Sequence, residues 1–290
     1  MSEPDGTITW RTLWAETTSL VGDRNQARWI CEVASGCDGA EFVDELDQPA
    51  TERMVHHLDA MVARVRTGEP LQYVLGRWAF RRVELMVDAR VLIPRPETEL
   101  LVERAMVAMA DRPRPLTVVD LGTGSGAIGL SLATELWHDG LRVWLTDASA
   151  EALDVARANT AGIGRAGASV RTALGEWFGA LPDEVRGTLD LVVSNPPYIA
   201  VDDPDVEAIV RDWEPAVALF AGADGLDHVR VIVREAAQWL APGGVLALEI
   251  GTGQGDAVAA LMRVAGLVDV VVTPDLAGHT RFVQSKRAAT

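Results

Sequence analysis

The sequence predicts an α/β protein, a mostly parallel, doubly wound sheet preceded by a small helical bundle. Three observations predict it. From Leu116 onward, short apolar runs alternate with helix-length segments, the pattern of parallel strands joined by crossover helices. A glycine loop, Gly122-Thr123-Gly124-Ser125-Gly126, separates the first of these runs from the helix after it. Ahead of both, residues 9–66 place their apolar side chains at helical spacing.

Composition bounds the function. A chain of 290 residues has room for two domains. Hydrophobic content of 48% and charged content of 23% are ordinary for a globular protein. The net charge of −16 argues against affinity built on neutralising phosphates, so nucleic acid is disfavoured as a partner. It suits a basic protein partner, although keeping the chain in solution is the plainer reading. Cys31 and Cys37 are the only cysteines, and no Cys or His pair has zinc-finger spacing, so neither a disulfide framework nor a metal site is expected. Adjacent His56 and His57 would point about 100° apart on a helix. With no apolar leader and no apolar run of about 18 residues, the expectation is a cytoplasmic protein without a membrane span.

Taken in order, residues 1–6 are polar and expected to fray. A helix is predicted over 9–21 and broken by Gly22-Asp23; a second covers 25–34, with Ala27, Ile30 and Cys31 facing a core. A turn at 36–39 precedes a short helix around 41–46. Thr51 can cap a longer helix over 52–66, with an apolar stripe of Val55, Leu58, Met61, Val62 and Val65, ended by Gly68. This bundle, residues 1–80, carries no catalytic constellation. A packing module and a partner-recognition domain both fit it.

Residues 81–96 read as a hairpin-like linker. Val83–Val87 and Ala89–Ile93 have strand character, with Asp88 at the turn. Pro94 and Pro96 then force an extended loop, and a helix begins near Pro96 or Glu97, opening a catalytic domain over 97–290. The loop reads both as a stiff elbow and as a side wall over a pocket.

In that domain, a strand over 116–121 ends at Asp120-Leu121, and a helix over 127–137 follows the glycine loop. Strand, glycine turn and helix in that order make a nucleotide-cofactor crevice, with close backbone approach and free N–H groups at the helix start. Gly124-Ser125-Gly126-Ala127-Ile128-Gly129 formally fits the dinucleotide fingerprint G-x-G-x-x-G, but it starts two residues late relative to the strand. Read from the strand end, the pattern is Asp120-x-Gly122-x-Gly124-x-Gly126. An acidic residue there suits a cofactor bearing a cationic amino group better than a pyrophosphate; it could act on the ligand or orient the loop. The next strand, 141–146, delivers Asp147, where a carboxylate can accept both ribose hydroxyls or serve the N-terminus of the helix over 150–160. A strand over 168–173 is followed by Glu176-Trp177-Phe178. Glu176 and Trp177 could recognise and stack on an adenine ring, or the aromatics could pack beneath a loop.

The fourth strand, 189–193, runs into Ser194-Asn195-Pro196-Pro197-Tyr198. The prolines stiffen the turn and supply no N–H. The Asn195 side-chain oxygen and the Pro196 carbonyl can accept the two hydrogens of a planar –NH2 group, and Tyr198 can pack against it. A helix over 226–240, a turn at Pro242-Gly243-Gly244, a strand over 245–250, a helix over 256–265 and strands over 268–272 and 280–285 complete the chain, with the last strand antiparallel. The glycines of 251–255 read as helix punctuation rather than a second cofactor loop. Together these features point to methyl transfer from S-adenosyl-L-methionine to an amino or amide nitrogen, by positioning and electrostatics.

Asn-Pro-Pro-Tyr combined with Asp-x-Gly-x-Gly-x-Gly resembles the amino-methyltransferases that act on DNA adenine, RNA guanine or protein glutamine. Within them, residues 70–76 (Pro-Leu-Gln-Tyr-Val-Leu-Gly), 93–99 (Ile-Pro-Arg-Pro-Glu-Thr-Glu) and 193–199 (Val-Ser-Asn-Pro-Pro-Tyr-Ile) are similar to the peptide chain release factor glutamine methyltransferases, the HemK/PrmC family. The related ribosomal-protein enzymes typically carry Pro-Arg-Ser-Pro in place of the Arg95 stretch. The likeness covers roughly residues 68–286 and also suits the helical N-terminal part. It implies a class I, Rossmann-like methyltransferase fold with a seven-stranded, mostly parallel sheet. It further implies N5-methylation of the glutamine in the Gly-Gly-Gln loop of bacterial release factors, hence a role in translation termination, by an enzyme expected to be a monomer. By that resemblance Gly122, Thr123, Gly124, Ser125, Gly126, Asp147, Trp177 and Asn195 contact the cofactor, with Asp120 and Glu176 beside them. Asn195, Pro196, Pro197 and Tyr198 bind the glutamine; Asn195, Pro196 and Tyr198 serve catalysis. Glu176 is a departure, since members more often carry Asp there. The alternatives are methylation of another protein glutamine or of a nucleic-acid base, a dinucleotide oxidoreductase on the shifted fingerprint, and a non-catalytic binding module; only the first two use the Asn-Pro-Pro-Tyr turn.

Overall fold

The computed structural model describes residues 7–289; the tail expected to fray at residues 1–6 lies outside the described residues. Two compact units meet between Arg77 and Trp78. That break falls three residues before the expected end of the helical domain and places residues 81–96 inside the second unit rather than between the two.

The first unit is helical. Helix α1 spans Trp10–Val21 and is capped by the Thr9 side chain, which accepts from the Thr12 N–H. Helix α2, Arg24–Ser35, is capped by Asp23, which accepts from the N–H groups of Asn25 and Gln26, a contribution of about 1 kcal/mol. Helix α3, Gly39–Asp44, starts two residues earlier than its sequence expectation. Helix α4, Glu52–Arg66, has Thr51 as its cap, as expected, and helix α5 spans Leu71–Leu75. Trp10, Leu13, Ile30, Phe42, Leu58 and Met61 form the buried centre, with Val55 and Val65 packed at its margin. Cys31 lies in that centre, where burial pushes its thiol up to about 12, and neither cysteine forms a disulfide.

The second unit opens with a hairpin in a register the sequence did not suggest. Strand β1, Arg77–Phe80, pairs with β2, Val83–Met86, and Arg81-Arg82 makes the turn. Arg81 adopts φ 51° without being glycine. Tertiary bonds hold it there: its N–H donates to Glu99 Oε1 at 2.9 Å and its guanidinium grips Glu135 at 2.6 and 2.8 Å. The expected second strand, 89–93, is loop, because Asp88 folds its carboxylate back onto the N–H and guanidinium of Arg90.

Helix α6 spans Thr98–Met109. Then come β3 (Thr117–Leu121), α7 (Ala127–Glu135), β4 (Arg142–Asp147), α8 (Ala150–Gly162), β5 (Val170–Leu174) and β6 (Leu189–Ser194). A 3-10 turn over Gly164–Ser169 takes the first part of the strand expected at 168–173. Helix α9 spans Ala208–Trp213 and α10 spans Asp227–Trp239. Strand β7, Leu240–Glu249, runs straight through Pro242-Gly243-Gly244, where a turn is expected. The glycines stay in the sheet because Gly243 N–H donates to the Arg287 carbonyl and Gly244 carbonyl accepts from Arg287 N–H. Helix α11 (Gly255–Val264) and strands β8 (Val268–Pro274) and β9 (Thr280–Lys286) close the chain.

The sheet has seven strands in the order β5-β4-β3-β6-β7-β9-β8, parallel except for β9, which lies antiparallel between β7 and β8. Its central strands are buried on both faces, with Val119, Leu121, Val192 and Leu246 on one and Val118, Leu191 and Val245 on the other. Successive strands step outward from β3 in one direction and from β6 in the other. The crevice at the carboxyl ends of β3 and β6 is therefore the topological switch point, where ligands bind in open α/β sheets. No described helix is long and apolar enough to cross a membrane.

Candidate active site

The loop after β3 is held from below by Asp120. This residue is fully buried; its Oδ2 accepts from the Thr123 hydroxyl at 2.7 Å and from the Gly129 N–H at 2.9 Å. Burial pushes its carboxyl up to about 6, against those two hydrogen bonds, and nearby Asp147 adds to the rise. Both oxygens are sealed from solvent or bonded to the loop, so Asp120 orients the glycine turn rather than meeting a ligand directly. Gly129 explains the shifted fingerprint. A Cβ there would lie 2.1 Å from Leu145 Cδ2, so this glycine lets α7 approach the sheet. Gly122, Gly124 and Gly126 all have φ between 54° and 88°, and a Cβ at Gly124 would meet no atom within 4 Å. The loop thus offers an open, side-chain-free cradle. Thr123 and Ser125 are buried within it, and Asn159 of α8 clamps it by donating to the Ser125 carbonyl at 2.8 Å.

Asp147 ends β4 beside the loop. Its Oδ2 accepts from Gly124 N–H and its Oδ1 from Ser149 N–H, both at 2.9 Å. The side-chain cap of α8 is Ser149, and Asp147 serves the same helix start one step out, through the Ser149 N–H. Asp147 is half-buried, with lone pairs to spare for a diol. Trp177 takes φ 46°, lays its ring 3.4 Å from the Cβ position of Gly122 and leans on His228 at 5.2 Å. Glu176 is exposed beside it. Phe178 has left the crevice: it is fully buried and stacks on Trp239 at 5.5 Å with an interplanar angle of 13°. The aromatic pair is therefore divided, one ring edging the crevice and one in the core.

At the end of β6, the Ser194 hydroxyl donates to the Leu121 carbonyl at 2.6 Å, tying the Asn-Pro-Pro-Tyr turn to the glycine loop. Asn195 Nδ2 donates to Thr98 Oγ1 at 3.4 Å. Neither Asn195 Oδ1 nor the Pro196 carbonyl has a hydrogen-bond partner among the described residues. Asn195, Pro196 and Tyr198 line a cleft of about 200 Å³ with Leu92, Arg95, Ile199, Val206 and Leu219. Pro197 stays half-buried within the turn, outside the cleft lining. Burial raises the Tyr198 phenol, which stays protonated.

The geometry adds residues that the sequence reading passed over. Glu249, at the tip of β7, is fully buried and accepts from the Thr98 hydroxyl at 2.7 Å. Burial pushes its carboxyl up to about 7, against the Thr98 hydrogen bond. A lone carboxylate one residue before the end of the apolar run 245–250 is the visible signal. Glu214 pairs with Arg95 at 2.5 Å and accepts from Ile93 N–H at 3.2 Å, so it clips the proline loop to the far wall of the cleft. Gln254 donates to the Tyr198 carbonyl at 3.0 Å while its Oε1 accepts from Gly251 N–H at 2.8 Å. The glycines of 251–255 thus frame a side chain that supports the turn.

Comparison with known proteins identifies the family. The Methyltransferase small domain model matches residues 97–213, and the PrmC N-terminal domain model matches residues 19–76. The chain is 41% identical over 259 residues to the release factor glutamine methyltransferase of Xylella fastidiosa strain 9a5c, covering 89% of this chain and 91% of that one. It is 40% identical over 265 residues to the protein of the same name from Cereibacter sphaeroides, covering 91% of each. Among solved structures, the hMettl16 catalytic domain in complex with the MAT2A 3′UTR hairpin 6 superposes with a TM-score of 0.55 at 14% identity, covering 84% of this chain and 85% of that one, a likeness of fold alone.

Proposed function

The chain belongs to the release factor glutamine methyltransferase family, and from that premise we propose how its crevice methylates the side-chain amide of a release-factor glutamine. The reaction transfers a methyl group from S-adenosyl-L-methionine to the amide nitrogen, N5, of the glutamine in the Gly-Gly-Gln loop, leaving S-adenosyl-L-homocysteine and releasing one N–H proton to solvent. One observation carries the assignment of roles. Asn195 Oδ1 and the Pro196 carbonyl, on residues that line the cleft, have no hydrogen-bond partner among the described residues. They match the two hydrogens of a planar primary amide.

An amide nitrogen is a poor nucleophile because its lone pair is delocalised into the carbonyl. Accepting both N–H bonds fixes the nitrogen and favours the positive charge that develops on it during attack. Tyr198 packs against the amide plane and, staying protonated, adds no competing charge. The glycine cradle, Asp147, and the Trp177 edge fit an adenosine cofactor bearing an amino-acid tail. Open space over Gly124 admits the ligand backbone, and Asp147 retains acceptor capacity for ribose hydroxyls. Bound there, the cofactor supplies an electrophilic methyl carbon. Ser194 ties the two half-sites together, so the acceptor turn and the cradle keep one register.

In this reading the helical unit recognises the body of the release factor, the acidic surface favours a protein over a nucleic-acid substrate, a single subunit suffices, and the enzyme works in the cytoplasm, where its substrate acts. Mass spectrometry of the Gly-Gly-Gln peptide from unmodified release factor, incubated with enzyme and cofactor, tests it. A gain of one methyl group on the glutamine is expected. An unmodified glutamine, with cofactor binding intact by calorimetry, would sink the assignment.

A further inference from the structure

Parallel pairing of β6 with β7 puts Ser194 opposite Leu248. The residues that follow, Asn195 just past β6 and Glu249 at the end of β7, therefore lie side by side at the same edge of the sheet. Thr98, the first residue of α6, stands between them and is buried. Its hydroxyl has one proton, and that proton goes to Glu249 Oε2 at 2.7 Å. Toward Asn195 the same oxygen can then only accept. The Asn195 amide must turn its Nδ2 to Thr98, at 3.4 Å, and its Oδ1 to the cleft. Reversed, the amide would set two acceptors against each other at Thr98 and present donors to a substrate that itself brings donors.

We propose that Thr98 and Glu249 are positioning residues that fix the orientation of the Asn195 amide, so that an acceptor and not a donor faces the substrate amide. The inference rests on the glutamine-methylation reading above. It gives Thr98, within the Arg-Pro-Glu-Thr-Glu stretch, and the carboxylate sealed at the tip of β7 a shared task. Glu249 acts as the terminal acceptor of a chain that runs Asn195 to Thr98 to Glu249. Its full burial removes water as a competing partner for the Thr98 proton.

The test is a double-mutant cycle read by single-turnover transfer of labelled methyl to unmodified release factor. Thr98→Val keeps the shape and removes the hydroxyl. It is expected to slow transfer by about 10- to 100-fold, the scale of a misoriented reacting contact. Affinity for the cofactor should stay within about twofold, since Thr98 does not touch the glycine loop, and Thr98→Ser should restore most of the rate. In an Asn195→Ala background, Thr98→Val should add less than about twofold, because the group it orients is gone. Equal cost in both backgrounds, or a Ser variant as slow as the Val variant, would overturn the proposal. So would a Val variant as fast as wild type. If Thr98→Val is too unstable to assay, Thr98→Ala removes the same hydroxyl and carries the same expectations. The wild-type arm separates the two levels: absence of label there refutes the glutamine reading, whereas labelled wild type with an indifferent Thr98 refutes only the relay.

Discussion

Replacing Gly225 with Ala should disable the acceptor turn without touching the cofactor cradle. Gly225 has φ 73°, and a Cβ built on it would lie 2.1 Å from the Tyr198 carbonyl oxygen and 2.7 Å from Gln254 Nε2. Real Cβ contacts begin near 3.0 Å, so the carbonyl or Gly225 must give by at least 0.9 Å. The Tyr198–Ile199 peptide is pinned on its other side, where Ile199 N–H donates to the Leu219 carbonyl at 3.0 Å, so the shift travels back through the stiff Pro196-Pro197 pair to Asn195. A displacement of about 1 Å at reacting groups costs roughly 100-fold in rate, or about 2.7 kcal/mol of barrier. Gly253→Ala is the control. Gly253 has φ 88° but open space around its Cβ position, so it carries the left-handed strain of about 1–2 kcal/mol without the clash. Single-turnover methylation of release factor, with calorimetric cofactor affinity and thermal melting alongside, reads both variants against wild type. The expected result is a roughly 100-fold loss for Gly225→Ala, near-wild-type turnover for Gly253→Ala and cofactor affinity preserved in both. A folded Gly225→Ala enzyme at wild-type speed, or equal losses in the two variants, would refute the reasoning.

Three further outcomes follow from the same geometry. Asp147→Ala strands the N–H groups of Gly124 and Ser149 and removes the proposed diol acceptor; calorimetry should show cofactor affinity about 10- to 100-fold weaker, with turnover at saturating cofactor changed far less. Glu214→Gln breaks the ion pair to Arg95 while keeping an acceptor for Ile93 N–H; the loosened loop should raise KM for release factor several-fold and leave cofactor affinity unchanged, as steady-state kinetics would report. Asp120→Asn tests the buried carboxyl, which burial raises to about 6. Because the folded pKa lies above the unfolded one, the stability this group contributes is present below about pH 3.8 and lost as pH rises through about 6. Urea titrations should therefore show the variant gaining on wild type, by on the order of 3 kcal/mol, between the bottom and the top of that window.

The repeating part of the fold was legible because its signals are local. Apolar runs bounded by glycine and proline marked β3, β4 and β6, and Thr51 marked the start of α4 four turns before its end. The hairpin was not legible, because its turn is stabilised from elsewhere. Arg81 holds a left-handed conformation through Glu99 and Glu135, which lie 18 and 54 residues away. The candidate site divides the same way. Asn195, Pro196 and the glycine loop stand out in the sequence by residue type and spacing, and the structure brings them to one edge of the sheet. Glu214, Gln254 and Glu249 act on groups 121, 56 and 151 residues distant, and only the parallel register and the packing of α6 bring them there.

That division bears on what makes the crevice an amide site rather than a generic amino-group site. The Asn-Pro-Pro-Tyr turn alone supplies two acceptors for any planar –NH2. Its surroundings set which planar group can reach them. Arg95 and Glu214 clip the proline loop across one side of the cleft, and Ile199, Val206 and Leu219 make an apolar wall on the others. The resulting space of about 200 Å³ has room for a narrow chain end such as a glutamine side chain. A glutamine preceded by two glycines is such an end, since residues without side chains let the backbone enter close behind the amide. A phosphate-bearing strand would also have to approach a chain of net charge −16. The clip between Arg95 and Glu214 thus links the stretch that distinguishes this sequence among glutamine methyltransferases to the shape of the pocket that would select its substrate.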